Sequence, residues 1–233
     1  MKIEMHTHTQ ESSPCAHIDA AQMVRLYTNE GYDAVVITDH YNKWSMEQMG
    51  AASSDEYSDY VLSGFYAAKK AAGDNLVILP SIEVTLLESP NDYLLYGIKP
   101  DFLYNNPYLY KLTLRELYSL CHKNDILLVQ AHPCRAYCSP APFELLDGIE
   151  VYNGNPRHNS NNDKTYNMAV NSDLILTSGS DFHQAEDLAH GGIITNSEIY
   201  DIRDLTNVLK SSDYSLIRDG ECQRHFKNFC IQQ

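Results

Sequence analysis

The sequence has no apolar run approaching the ~18 residues of a membrane span, and no basic segment followed by an apolar stretch near Met1. The first excludes a transmembrane helix and leaves no membrane partner to expect. The second gives no sign of a secretory leader, so a cytoplasmic location is the expectation. Paired cysteines are also lacking. Cys15, Cys121, Cys134, Cys138, Cys222 and Cys230 include no Cys-x-x-Cys spacing. That argues for reduced, mostly buried thiols over a disulfide framework or a zinc knuckle. Cys134 and Cys138 keep a ligand role open because they follow His132. Positive charge is scarce: 17 Lys and Arg against 31 Asp and Glu leave a net charge of −14. A protein that coats nucleic acid normally presents a basic face, so long nucleic acid is not an expected partner. There is no internal repeat and no low-complexity tract.

What is present is an ordinary globular composition, with 43% hydrophobic and 21% charged residues in 233. That length is one large domain or two small ones, and it can bury a core without disulfides. "KIEMH", "DAVVITDH", "NLVILPSIEVT", "DYLLYGI", "DILLVQAH", "LDGIEVYN", "DLILTSGSD" and "GGIITN" read as strands. Between them, "IDAAQMVRLYTNEGY" has helical spacing and stops at Gly31, and "SDEYSDYVLSGFYAAKKAAG" stops at Gly73. "TLRELYSLCHKN" has Thr113 as N-cap, and "SNNDKTYNMAVNS" and "DIRDLTNVLK" are further helices. Continuous apolar strands separated by helices imply an α/β fold with a parallel sheet, here of about seven units. Closure into a barrel is one form of it and an open doubly wound sheet the other. In both, sites form at the C-terminal ends of the strands.

The polar residues follow those ends. His6 and His8 end the first strand and, at i and i+2, share a face. Asp39 and His40 end "AVVITDH", Glu83 follows "LVILPS", and His132 ends "ILLVQAH". Glu150 and Asn153 end "DGIEVYN", and Asp181 and His183 follow "LILTSGS". Imidazoles with carboxylates suit zinc, manganese or iron. The set is too large for one tetrahedral ion, which points to two or three divalent ions about 3.5–4 Å apart.

"HTH", "ITDH", "SIEV", "QAHPCR", "IEVYN" and "SGSDFH", in that order, resemble the polymerase and histidinol phosphatase (PHP) family. The resemblance implies a single domain, 1–233, built as a distorted (β/α)7 barrel with the metals at the C-terminal strand ends. It also implies hydrolysis of phosphoesters by a metal-bound hydroxide. His6, His8, Glu83 and Asp181 match the ligands of a first metal. Glu83 bridges to a second, shared with His132, and His40 and His183 match ligands of a third. Asp92 stands where members often carry a histidine. The loop "TQESSPCAHI" supplies His17 as the best candidate for a further ligand, with Cys15 behind it.

Around this set, Arg135 and Arg157 are candidates to hold a phosphate by paired N–H donors, with Asn153 beside them. Asp181, His183 and Arg135 are the candidates for catalysis. Asp39 reads as an acceptor orienting an imidazole or as a strand-end cap. Tyr152 and Trp44 could line or cover the pocket. His122, His158, His190 and His225 are read as lying outside it. The expected substrate is a small phosphorylated molecule, such as histidinol phosphate or a nucleotide. The alternatives are an amidohydrolase-type enzyme, a short-oligonucleotide exonuclease and a non-catalytic metal-binding domain.

Overall fold

In chain order the strands are β1 (Lys2–Thr7), β2 (Ala34–Ile37), β3 (His40–Tyr41), β4 (Val77–Pro80), β5 (Glu83–Thr85), β6 (Asp92–Tyr96), β7 (Leu127–Gln130), β8 (Gly148–Asn153), β9 (Ile175–Gly179), β10 (Gly191–Ile194), β11 (Ser215–Arg218) and β12 (Glu221–Gln223). The helices are α1 (Ala20–Asn29), α2 (Lys43–Met49), α3 (Ser54–Ala72), α4 (Pro100–Asn105), α5 (Leu114–Lys123), α6 (Asn162–Ala169) and α7 (Ile202–Ser211). This computed structural model describes residues 1–50 and 53–223. His225 and Cys230 lie outside the described residues. Local chemistry sets the helix ends. Thr113 caps α5 in a reciprocal pair with Glu116, and α3 ends at Gly73.

The strands form a mixed α/β fold of two six-stranded sheets, in the orders β12-β11-β10-β1-β2-β4 and β3-β5-β6-β7-β8-β9. No closed sheet forms among the described residues. The uniformly parallel arrangement expected from the sequence is also corrected. β6 runs antiparallel to β5 and β7, and β10 antiparallel to β1 and β11. One reason lies in the connection from Thr85 to Asp92, which contains no helix. A short turn can join antiparallel neighbours, whereas parallel ones need a crossover.

Two sequence runs that read as single strands change sheet midway. "DAVVITDH" becomes β2 and then β3, and "NLVILPSIEVT" becomes β4 and then β5. The switch puts His40 directly opposite Glu83 in the β3–β5 pair. At the other seam, Thr7 pairs with Phe182, just beyond β9. There the His8 N–H donates to Phe182 O at 2.9 Å and the Phe182 N–H to His6 O at 3.1 Å. The ends of β1, β3, β5, β7, β8 and β9 therefore meet on one side of the molecule. Beneath them lies an apolar core including Met5, Leu94, Val129 and Ile149, all fully buried.

Candidate metal centre

β1 aims His6 and His8 inward, and both are fully buried. Glu83, the first residue of β5, sits among them. Its Oε1 lies 3.3 Å from His6 Nε2 and 3.2 Å from His132 Nε2. Its Oε2 lies 3.4 Å from His8 Nε2 and 2.9 Å from His40 Nδ1. Asp181 Oδ1 is 3.5 Å from His6 Nε2, 3.4 Å from His8 Nε2 and 3.5 Å from His183 Nδ1. Asp92 Oδ2 is 3.8 Å from His132 Nε2. The fold brings together His6, His8, His40, Glu83, His132, Asp181 and His183, and Asp92 joins them from the first position of the antiparallel β6. Two of them have unusual backbones: His132 and Asp181 adopt φ of 27° and 51°. Such conformations persist only where the surroundings impose them, and they cluster at functional sites.

Hydrogen bonds fix where the lone pairs point. His6 Nδ1 donates to Glu150 Oε1 at 2.9 Å, which turns Nε2 toward Glu83 and Asp181. Ser13 Oγ donates to Asp39 Oδ1 at 2.7 Å, so it can only accept from His8 Nδ1, 3.3 Å away. That leaves the His8 lone pair on Nε2. His183 Nδ1 donates to the Asp181 carbonyl at 2.9 Å. Yet His6 Nε2, His8 Nε2 and His40 Nδ1 are buried without a hydrogen bond. Buried nitrogens of this kind are costly unless something takes their lone pairs. The donor set of imidazole nitrogen and carboxylate oxygen fits divalent metal ions. His6, His8 and Glu83 form one group able to hold an ion, His8, His40 and His183 a second, and Asp92, His132 and Cys138 a third.

The electrostatics agree. Burial would raise the Glu83 carboxyl, but His6, His132 and His40 hold it well below the usual carboxylate range. Burial likewise opposes ionisation of Asp181, and His6 and Arg135 overcome it. His8 is pushed well below the ordinary histidine value by burial and by His40 and His183, which keeps its ring neutral.

A cavity of about 190 Å³ opens onto the cluster, lined by its carboxylates and by Cys15, Arg135, Arg157 and His158. A larger cavity of about 460 Å³ lies at Phe65, Lys99 and Arg203 and is lined by no histidine. Arg135 Nη2 donates to Asp181 Oδ2 at 2.7 Å and to Asn153 Oδ1 at 2.8 Å. Several sequence readings need correcting here. His17 is exposed and absent from the cavity wall; the loop presents Cys15 instead. Asn153 is buried and bonded to Glu150 at 2.9 Å and to Arg135, so it positions other groups and is not free to contact a substrate. Arg157 is clasped by Asp187, through Nε at 3.0 Å and Nη2 at 2.7 Å. His158 lines the cavity although the sequence reading left it out. His122 bonds Asp147, His190 bonds the Glu186 carbonyl, and Tyr152 bonds Asp219, none of them at the site. Trp44 is half-exposed on α2 and does not line the cavity.

Two buried acids have roles the sequence did not show, Glu150 at a strand end and Glu4 within β1. Glu150 holds His6, and it accepts the His132 N–H at 3.0 Å. Glu4 accepts from the Met5, His6 and Ser180 amides at 2.9, 3.0 and 2.8 Å, tying β1 to the chain before Asp181. Burial pushes its carboxyl up to about 7. Both are acids inside apolar strands, and such acids need partners.

Solved structures share this architecture. A two-domain protein from Bacteroides vulgatus, containing a predicted PHP-like metal-dependent phosphoesterase, superposes with a TM-score of 0.68 at 14% identity. The match covers 95% of this chain and 66% of that one. The chain has a PHP-like fold. An amidohydrolase from Chromobacterium violaceum, solved with bound sulfate and no metal, shares the PHP-like fold at a TM-score of 0.60 and 14% identity. That match covers 94% of this chain and 98% of the other. A lesion-specific endonuclease from Pyrococcus furiosus matches at 0.56 and 12% identity, over 90% of this chain and 56% of its own. Neither a family model nor a curated protein sequence matches significantly. Among the described residues, no helix is long and apolar enough to cross a membrane.

Proposed function

We propose that this chain is a metal-dependent phosphoesterase acting on small phosphorylated molecules. The observation that carries the reading is Glu83, whose two carboxylate oxygens each face two imidazoles. A carboxylate so placed is suited to bridge two cations. His6, His8, Glu83 and Asp181 would hold one ion, Glu83, His132 and Asp92 a second, and His40 and His183 a third. Zinc, manganese or iron suits this donor set. Ions held there would lower the pKa of a water bound to them and offset charge on phosphoryl oxygens. Arg135, fixed by Asp181 and Asn153, supplies a planar cation on the cavity wall that can orient those oxygens. His183 stands at the same wall beside Asp181, whose carboxylate is kept ionised by His6 and Arg135. About 190 Å³ suits a phosphoryl group and its nearest atoms, with the leaving group toward solvent. Histidinol phosphate and nucleotides are the substrates to try first. We read 1–233 as one PHP-like domain.

The test is elemental analysis of the purified protein together with a phosphoester panel on the same sample. Two or three equivalents of metal, with turnover abolished in His8→Ala and Asp181→Ala, is the expected result. Metal-replete protein that hydrolyses no phosphomonoester or phosphodiester sinks the reading. The fold shared with an amidohydrolase and an endonuclease makes amides, non-phosphate esters and short oligonucleotides the informative additions to the panel.

A further inference from the structure

We propose that the larger cavity, of about 460 Å³, is a second ligand site built for a small planar aromatic anion. The inference does not rest on the metal reading. β6 begins at Asp92, beside His132, and ends at Tyr96; the next residue, Gly97, lines this cavity. Five residues of strand set the two places roughly 17 Å apart. Asn124 and Asp125, just ahead of β7, line the cavity too, and β7 leads the other way to His132. Residues of α3, β4 and α7 complete the wall, among them Phe65, Ile78 and Ile202. Apolar cavities of roughly 300–1,000 Å³ with a few convergent polar groups are the usual small-molecule sites.

Two features set the class of ligand. The first is charge. Lys69, Lys99 and Arg203 line the cavity, and none of them forms an ion pair among the described residues. The two acids on the wall are engaged already. Asp125 Oδ1 pairs with Lys210 Nζ at 2.6 Å, and Asp201 Oδ1 accepts the Arg203 and Asp204 amides at 2.8 and 3.0 Å. In a chain of net charge −14, three unpaired cations around one concavity make a local field that draws an anion. The second feature is aromatic. Trp44, Tyr66, Leu87, Tyr137 and Tyr200 are the exposed large apolar side chains among the described residues, and Tyr66 and Tyr200 both line this cavity. The Tyr66 ring packs on Phe65 at 5.2 Å between centroids, and the Tyr200 N–H is held by Asp204 Oδ2 at 3.0 Å. Phenol rings on anchored backbone offer stacking surface at little entropic cost.

Anilinonaphthalene sulfonate, a planar aromatic anion, is the probe, and its fluorescence on the full chain needs no turnover. One equivalent should bind saturably, with the same affinity before and after zinc is added. Arg203→Glu, Lys99→Glu and Tyr200→Ala should each weaken it at least fivefold. Lys164→Glu, the same charge change on α6 outside the cavity, should leave it within twofold. The uncharged analogue N-phenylnaphthylamine should bind at least tenfold more weakly. No saturable binding, equal affinity in Arg203→Glu, or an uncharged analogue that binds as well overturns the proposal; dye expelled by zinc places it at the metal centre and overturns it too. Acetylation of wild-type lysines, mapped by mass spectrometry, is independent of how any variant folds. The dye should slow modification of Lys69 and Lys99 at least threefold and leave Lys164 unchanged; equal rates at Lys69 and Lys99 with and without dye overturn the site.

Discussion

Glu150 Oε1 lies 2.9 Å from His6 Nδ1, and neither side chain is more than 1% exposed. The contact decides which His6 nitrogen faces the other ligands. The same carboxylate accepts the His132 backbone N–H at 3.0 Å, so one acid holds two candidate ligands, one on β1 and one just after β7. Replacing it should weaken metal binding without removing a ligand. We expect Glu150→Gln to fold and to lose about 10–100-fold in metal affinity, the usual cost of removing a carboxylate behind a ligating histidine. Competition with a chromophoric chelator measures this. Wild-type affinity in the variant would show that Glu150 is only a packed polar residue.

A second expectation concerns a place where helix and site loop nearly touch. A Cβ on Gly64, in α3, would overlap Thr9 Oγ1 and Asp39 Oδ2. Those groups hold the loop, since the Thr9 N–H donates to Asp39 Oδ1 at 2.7 Å and Asp39 holds Ser13. Alanine normally improves a helix interior by about 0.5–1 kcal/mol over glycine. Overpacking costs about 1–3 kcal/mol and wins here. Gly64→Ala should lose a net of about 1–2 kcal/mol, lowering Tm by roughly 2–8 °C in calorimetry. A Tm equal to or above that of wild type would contradict the tight approach.

Much of this was legible in the sequence. Strand ends marked the candidate ligands because a buried apolar strand ends where its polar residues begin, and parallel neighbours bring such ends together. Thr113 was legible as a cap from one local hydrogen bond. What failed was non-local. β6 runs antiparallel because a short turn precedes it, and apolar runs look alike in either direction. The His17 side chain, expected at the site, is exposed, and the loop's path there follows the His17 N–H tie to His183 O, which no periodicity reports. Arg157 read as a free cation because its partner Asp187 lies 30 residues away. Glu150 stood in the strand-end set but received no role, because its partners, the His6 ring and the His132 N–H, come from other parts of the chain.

Metal removal should also be visible as a loss of stability. Ligands from β1, β3, β5, β7 and the segment after β9 meet only in the folded chain, so an ion bound there stabilises the native state alone. At a free concentration a thousandfold above Kd that contributes about 4 kcal/mol, or roughly 8–16 °C in Tm for a chain of this size. Chelated protein should therefore melt well below the zinc-loaded form. In His8→Ala the difference should shrink by more than half. Identical melting of the chelated and loaded wild-type protein would mean that the histidines do not hold an ion together.

The two arginines of the cavity wall should behave differently although the sequence treats them alike. Arg135 divides one nitrogen between Asp181 and Asn153, and its planar fork faces the cluster. Lysine keeps the charge but cannot reproduce that geometry. Arg157 gives Nε and Nη2 to Asp187, which in turn accepts the His183 N–H at 2.9 Å. It acts as a brace for the His183 loop, and a lysine can retain part of that contact. We expect Arg135→Lys to lower kcat/KM for a generic phosphomonoester at least tenfold, about 1.4 kcal/mol, with metal content unchanged. Arg157→Lys should lower it less than threefold. The reverse order, measured on samples of equal metal content, would assign the phosphate to Arg157 and make Arg135 the brace.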